Sequence, residues 1–111
     1  MIANEVFLDT SYAIALSSAN DQFHDKAETI AFELEKNNTR MITTRAVILE
    51  IGNALAKLRF RNDAIRLLHS LEMDSTITII PLSEDLFQRA FALFQQRKDK
   101  EWGITDCISL L

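Results

Sequence analysis

Three short apolar runs, each followed by segments of helical periodicity, constrain this chain more than any other feature. Val6-Phe7-Leu8 ends abruptly at Asp9-Thr10-Ser11, Met41-Ile42-Thr43 ends at Thr44, and Thr76 to Leu82 reads TITIIPL. Continuous apolar runs closed by turn-forming residues predict strands buried on both faces. Tyr12 to Leu16 predicts a short helix capped by Asp9 or Thr10, and Gln22 to Lys36 an amphipathic one stopped by Asn37-Asn38. After the second run, Val47, Ile51, Leu55 and Leu58 share a face of a helix capped by Thr44. Ala64, Leu67, Leu68 and Leu71 mark the next helix, capped by Asn62 or Asp63. Ser83 caps a helix with Leu86, Phe87, Ala90, Phe91 and Phe94 facing inward. A charged loop, Lys98 to Trp102, precedes a last helix with Thr105 as N-cap and Asp106 in its first turn. The order βααβααβαα predicts an α/β fold: a three-layer α/β/α sandwich on a short parallel sheet.

At 111 residues the chain is expected to form one domain, residues 1–111. Two glycines and one proline favour long helices with short connections. A net charge of −4 argues against bulk electrostatic affinity for nucleic acid, but not against nucleic acid held through a bound cation. The single cysteine, Cys107, permits no internal disulfide and fits a reducing compartment. Glu5 and Asp9 interrupt the apolar N-terminal stretch, so neither a signal peptide nor a membrane span is expected there, and the expected location is the cytoplasm.

Open parallel sheets carry their sites beyond the carboxyl ends of their strands. Asp9 ends the first strand, Asp106 starts the final helix, and Glu50 lies on the flank of the apolar stripe of the helix after the second strand. Each has a structural explanation alone, as a cap, a first-turn acid or a solvated edge. Those explanations do not account for all three meeting at one rim. Converging carboxylates without histidine or cysteine suit hard divalent cations, Mg²⁺ or Mn²⁺, and such sites suit phosphodiester hydrolysis. Thr10, Ser11 and Thr105 supply hydroxyls beside the acids, and Asn53 points the same way as Glu50. Asp99 and Glu101 are further acids, read first as a solvated loop. Lys57, Arg59, Arg61 and Arg66 cluster between two helices and are read as a solvated face before a guide for an RNA backbone.

FLDTSYAIAL, the acid in the helix after ITT, and the run DKEWGITDCISLL together resemble a PIN domain over essentially the whole chain, nearest to the VapC-like ribonucleases. The resemblance implies a metal-dependent endoribonuclease, with Asp9, Glu50 and Asp106 matching the family's first three metal-binding acids. It implies in-line attack by a metal-activated water, leaving a 5′-phosphate and a 3′-hydroxyl. For a toxin-type member it implies a cognate antitoxin and a homodimer. The family continues from this last helix into a strand beside the first one, with a fourth acid; that strand is missing here. The chain is therefore expected to be C-terminally truncated, with an exposed edge on the first strand. The competing reading is a catalytically impaired PIN-like domain that acts as an interaction module. A dehalogenase-like phosphatase would need a second aspartate where Ser11 stands, and a phosphoryl-receiver set is missing too.

Overall fold

A computed structural model of the chain describes residues 5–111. Residues 1–4, the start of the segment expected to hold no leader, lie outside the described residues. The elements run β1 (Glu5–Phe7), α1 (Thr10–Ser17), α2 (His24–Lys36), β2 (Arg40–Thr44), α3 (Arg45–Ala54), α4 (Leu58–Met73), β3 (Ile77–Ile80), α5 (Glu84–Gln96) and α6 (Ile104–Leu110). The expected order βααβααβαα is the observed one. The strands form a parallel sheet in the order β1-β2-β3, with Val6 beside Met41 and Ile42 beside Thr78. Among the described residues nothing pairs with the outer edge of β1.

The two faces of the sheet are covered unequally. On one, α1 to α4 build a core of Leu8, Ala13, Val47, Ile48, Ile51 and Leu71, with Tyr12, Leu67, Ile77 and Ile79 against it. On the other, α5 and α6 meet around Ala46, Ala90, Cys107 and Ile108, with Leu86, Leu93, Trp102 and Ile104 at the margin. Helix α3 reaches both clusters, through Ala46 on one side and Val47, Ile48 and Ile51 on the other. This is the three-layer arrangement that the alternation of strands and helix pairs predicts.

Several local expectations are corrected. The strands are not buried on both faces: Phe7 and Ile80 are exposed, because they face the side covered only by α5 and α6. Leu58 does not extend the face of Val47 and Ile51; it opens α4 and stands 88% exposed. Helix α4 starts ahead of the expected caps Asn62 and Asp63, with Lys57 as an N-cap that makes no side-chain bond. Just ahead of the helix, the Arg61 guanidinium donates to the Ala56 carbonyl, at 3.1 and 2.6 Å. In α6 the N-cap is Gly103, and Thr105 is already helical. In α5 it is Leu86, Ala90 and Leu93 that reach the core, while Phe87, Phe91 and Phe94 are left part-exposed. Ala90, with no exposed surface, lets α6 approach closely, and the helix turns its small side inward.

The caps Thr44 and Ser83 are as expected, each accepting from the backbone N–H three residues on, Val47 at 3.2 Å and Leu86 at 3.1 Å. No helix among the described residues is long and apolar enough to cross a membrane.

Candidate functional site

The site is built from the carboxyl end of β1 outward. Leu8 is held on both sides by β2: its N–H donates to the Ile42 carbonyl and its own carbonyl accepts from the buried Thr43 hydroxyl, both at 2.8 Å. These two bonds fix where the next residue, Asp9, leaves the sheet. Asp9 then caps α1, with Oδ1 accepting from the Tyr12 N–H at 2.8 Å. The first turn of α1 presents Thr10, whose hydroxyl donates to Glu50 Oε1 on α3 at 2.5 Å. Asp106, on the short helix α6, accepts from the Gly103 N–H at 2.9 Å through Oδ2.

One hollow of about 80 Å³ collects these groups. Its lining is Asp9, Thr10, Ser11, Val47, Glu50, Thr105, Asp106 and Ser109. The three acids and three of the hydroxyl residues singled out from sequence thus share one concavity, drawn from α1, α3 and α6. The other candidates fall outside its lining. Asn53 is exposed on α3. Asp99 is tied to Arg97 by two bonds of 3.0 Å, and the guanidinium holds its carboxyl below the usual range. Glu101 is exposed in the same loop. Of the basic residues, Arg61 is bound to Ala56, Arg66 to Asp63, and Arg59 lies over the Phe60 ring; none lines the hollow.

Two contributors escaped sequence reasoning. Ser109 follows Asp106 by one helical step, a spacing that puts both on one face and was available as a signal. Thr43 acts through a contact across the sheet and left no local trace in the sequence.

The donors suit a hard cation: carboxylate and hydroxyl oxygens, without sulfur or imidazole. Among the described residues, however, no three acids stand close enough to grip one ion as placed. Each carboxylate gives one oxygen to a cap or to Thr10, and Asp9 Oδ2, Glu50 Oε2 and Asp106 Oδ1 are the oxygens left for another partner. Asp9, Glu50 and Asp106 are all exposed, so water screens their mutual repulsion and does not force them apart or together. A larger hollow, about 640 Å³, opens at the opposite end of the sheet between α2 and the start of β2. Its charged residues, Glu35, Arg40 and Asp74, are of mixed sign, and we place the site where the carboxylates converge instead.

Comparison with known proteins agrees with this fold. The crystal structure of VapC20 from Mycobacterium tuberculosis, a toxin that cleaves the sarcin–ricin loop, superposes with a TM-score of 0.81 at 19% sequence identity, over 94% of this chain and 77% of that one. At that identity the likeness speaks for the fold. No curated protein matches the sequence significantly. The family model of the PIN domain matches residues 6–110, nearly the whole chain, and the chain belongs to the PIN domain family.

Proposed function

We propose that the chain is a metal-dependent endoribonuclease that hydrolyses RNA phosphodiester bonds at the hollow formed by Asp9, Glu50 and Asp106. The observation that carries this reading is the meeting of three carboxylates, from three separate elements, in one small concavity with Thr10, Ser11, Thr105 and Ser109. Membership of the PIN domain family supports it, nucleases being what such domains generally are. The likeness in fold to VapC20, a toxin that cleaves the sarcin–ricin loop, favours a toxin-type member; an antitoxin partner and a homodimer are carried over from the family resemblance as part of this proposal.

Asp9, Glu50 and Asp106 would hold Mg²⁺ or Mn²⁺ through the oxygens not used in capping. When bound, the cation supplies a nucleophile at neutral pH and offsets charge gathering on the phosphate oxygens. The rest is the work of the chain's own groups. Thr10 donates to Glu50 and so orients that carboxylate across the gap between α1 and α3. Asp9 and Asp106 are anchored by the backbone N–H groups of Tyr12 and Gly103, which limits their motion to the free oxygen. Ser11, Thr105 and Ser109 offer hydroxyl donors to phosphate or to water at the rim. The hollow has room for several water-sized groups, and its openness suits a single-stranded backbone laid across it.

A second reading, an interaction module with an impaired site, is favoured by one observation: the acids are not spaced to grip an ion as they stand. Cleavage of single-stranded RNA by the folded protein in Mn²⁺, with Asp9→Asn as the control, separates the two. The nuclease reading expects cleavage that chelator abolishes and Asp9→Asn lacks. A folded protein that is inert in saturating Mn²⁺ supports the module.

A further inference from the structure

The hollow of the three acids does not end at Asp9. A second hollow, of about 230 Å³, adjoins it, and Asp9 and Ser11 line both. Its chemistry is different. Tyr12, Phe23 and Ile30 give it aromatic and apolar walls, and Lys26 lines it with them. Small residues make the room: Ala15 on α1 and Ala27 on α2 also line it, both buried, and larger side chains there would fill it. The Tyr12 hydroxyl donates to the Ala27 carbonyl at 3.4 Å, which ties its ring to α2. Phe23 is fixed from the turn ahead of α2, its N–H donating to Asp21 Oδ1 at 2.8 Å. Its side chain is nevertheless left to water, with the residue 57% exposed. Lys26 makes no ion pair among the described residues.

We propose that this hollow is a nucleobase subsite. It takes one unstacked base of a single-stranded RNA, from a nucleotide adjoining the scissile phosphate, against Phe23 and Tyr12, with Lys26 on a backbone phosphate. The inference rests on the nuclease reading above and adds to it where the strand runs. Continuity selects this occupant. A strand whose phosphate lies over the acids must leave their hollow past one of its walls, and the wall of Asp9 and Ser11 opens onto aromatic side chains. Charge selects it as well. A nucleotide brings a flat apolar ring and an anion close together, and the hollow offers aromatic rings and a free cation within one small volume. A partner helix, about 10 Å across with its side chains, would need a longer apolar trough. Stacking accepts any base, so the subsite selects for an unpaired strand and not for a sequence.

RNA binding to Asp106→Asn in chelator decides it, because that protein holds RNA uncut and Asp106 lies outside the second hollow. Fluorescence anisotropy compares two labelled probes, a short single-stranded RNA and the same backbone stripped of its bases. The RNA is expected to bind about tenfold tighter or more, with Phe23→Ala removing most of that preference and Phe23→Trp keeping it. Lys26→Gln is expected to weaken both probes alike and to lower the salt dependence by about one phosphate contact. If circular dichroism shows Phe23→Ala unfolded, Ile30→Ala, at another exposed position of the same hollow, decides in its place. Equal binding of the two probes, as an apolar face meant for a protein partner would give, overturns the proposal. So does a preference that survives Phe23→Ala, or no binding of either probe. A Lys26→Gln variant with unchanged salt dependence overturns the phosphate contact. Mn²⁺-dependent cleavage by the wild type, followed separately, keeps the two readings apart. Cleavage without base preference leaves the nuclease standing and removes the subsite; base preference in a chain that never cleaves removes the nuclease and leaves an RNA-binding hollow.

Discussion

The two faces of the sheet do different work. The face under α1 to α4 is packed with large side chains, and Ile51 there has no exposed surface at all. The cluster under α5 and α6 is centred on small ones, Ala46, Ala90 and Cys107, with only Ile108 of any bulk at its centre. The first face stabilises the fold. The second sets Asp106 opposite Asp9 and Glu50 and leaves aromatic surface uncovered. The hollow lies on the seam between them, beside α3, which belongs to both cores. A site so placed needs both faces intact, though only one of them supplies most of the stability.

The same truncation on each face tests that division. Ile51→Ala is expected to cost about 4 kcal/mol, towards the upper end for buried large-to-small changes, because its surroundings cannot collapse. Ile108→Ala, in the smaller buried cluster, should cost nearer ~2 kcal/mol. Denaturant unfolding measures both, and equal losses would break the comparison. A subtler probe is Thr43→Val, which leaves the Leu8 carbonyl without its donor. A loss of about 1–3 kcal/mol is expected, together with RNA cleavage reduced by more than the loss of folded protein explains, since Asp9 follows Leu8 directly.

The smallest effect concerns pH. Glu72 near the end of α4 pairs with Arg45 at the start of α3, and the hydrogen bond from Arg45 lowers its pKa from the ordinary 4.5. A carboxyl lowered by folding adds stability above its unfolded pKa and loses it as pH falls through the folded one. Wild type should therefore lose stability more steeply than Glu72→Gln as pH falls below about 4.5. The pair is exposed, so the difference should be slight and should shrink in salt. Melting temperatures of the two proteins across that window measure it.

The sequence made the acids legible because each sits beside a local boundary. Asp9 closes an apolar run, Asp106 opens a helix, and Glu50 interrupts an apolar stripe. What was not legible is tertiary. The bond from Thr10 to Glu50 and that from Thr43 to Leu8 join segments far apart in the chain, and no spacing encodes them. Helix α5 shows a different limit. Its two stripes are adjacent and both apolar, so periodicity identifies the helix but not which stripe turns inward. Packing decided that, through the close approach that Ala90 allows. At α4 the expectation relied on a capping side chain, and the helix starts earlier without one, at Leu58.

The central claim is that Asp9, Glu50 and Asp106 act as one cation site although their carboxylates stand too far apart to grip an ion as placed. The direct measurement is the change in melting temperature that Mn²⁺ produces in the wild type and in Asp9→Asn, Glu50→Gln and Asp106→Asn. A ligand at a hundredfold excess over its Kd is expected to raise the melting temperature of a domain of this size by on the order of 10 °C. Such a rise is predicted in the wild type, with its loss in each of the three variants, whose melting temperatures without metal stay near the wild-type value. A rise that persists in any one of them, or none in the wild type at saturating Mn²⁺, would contradict the claim.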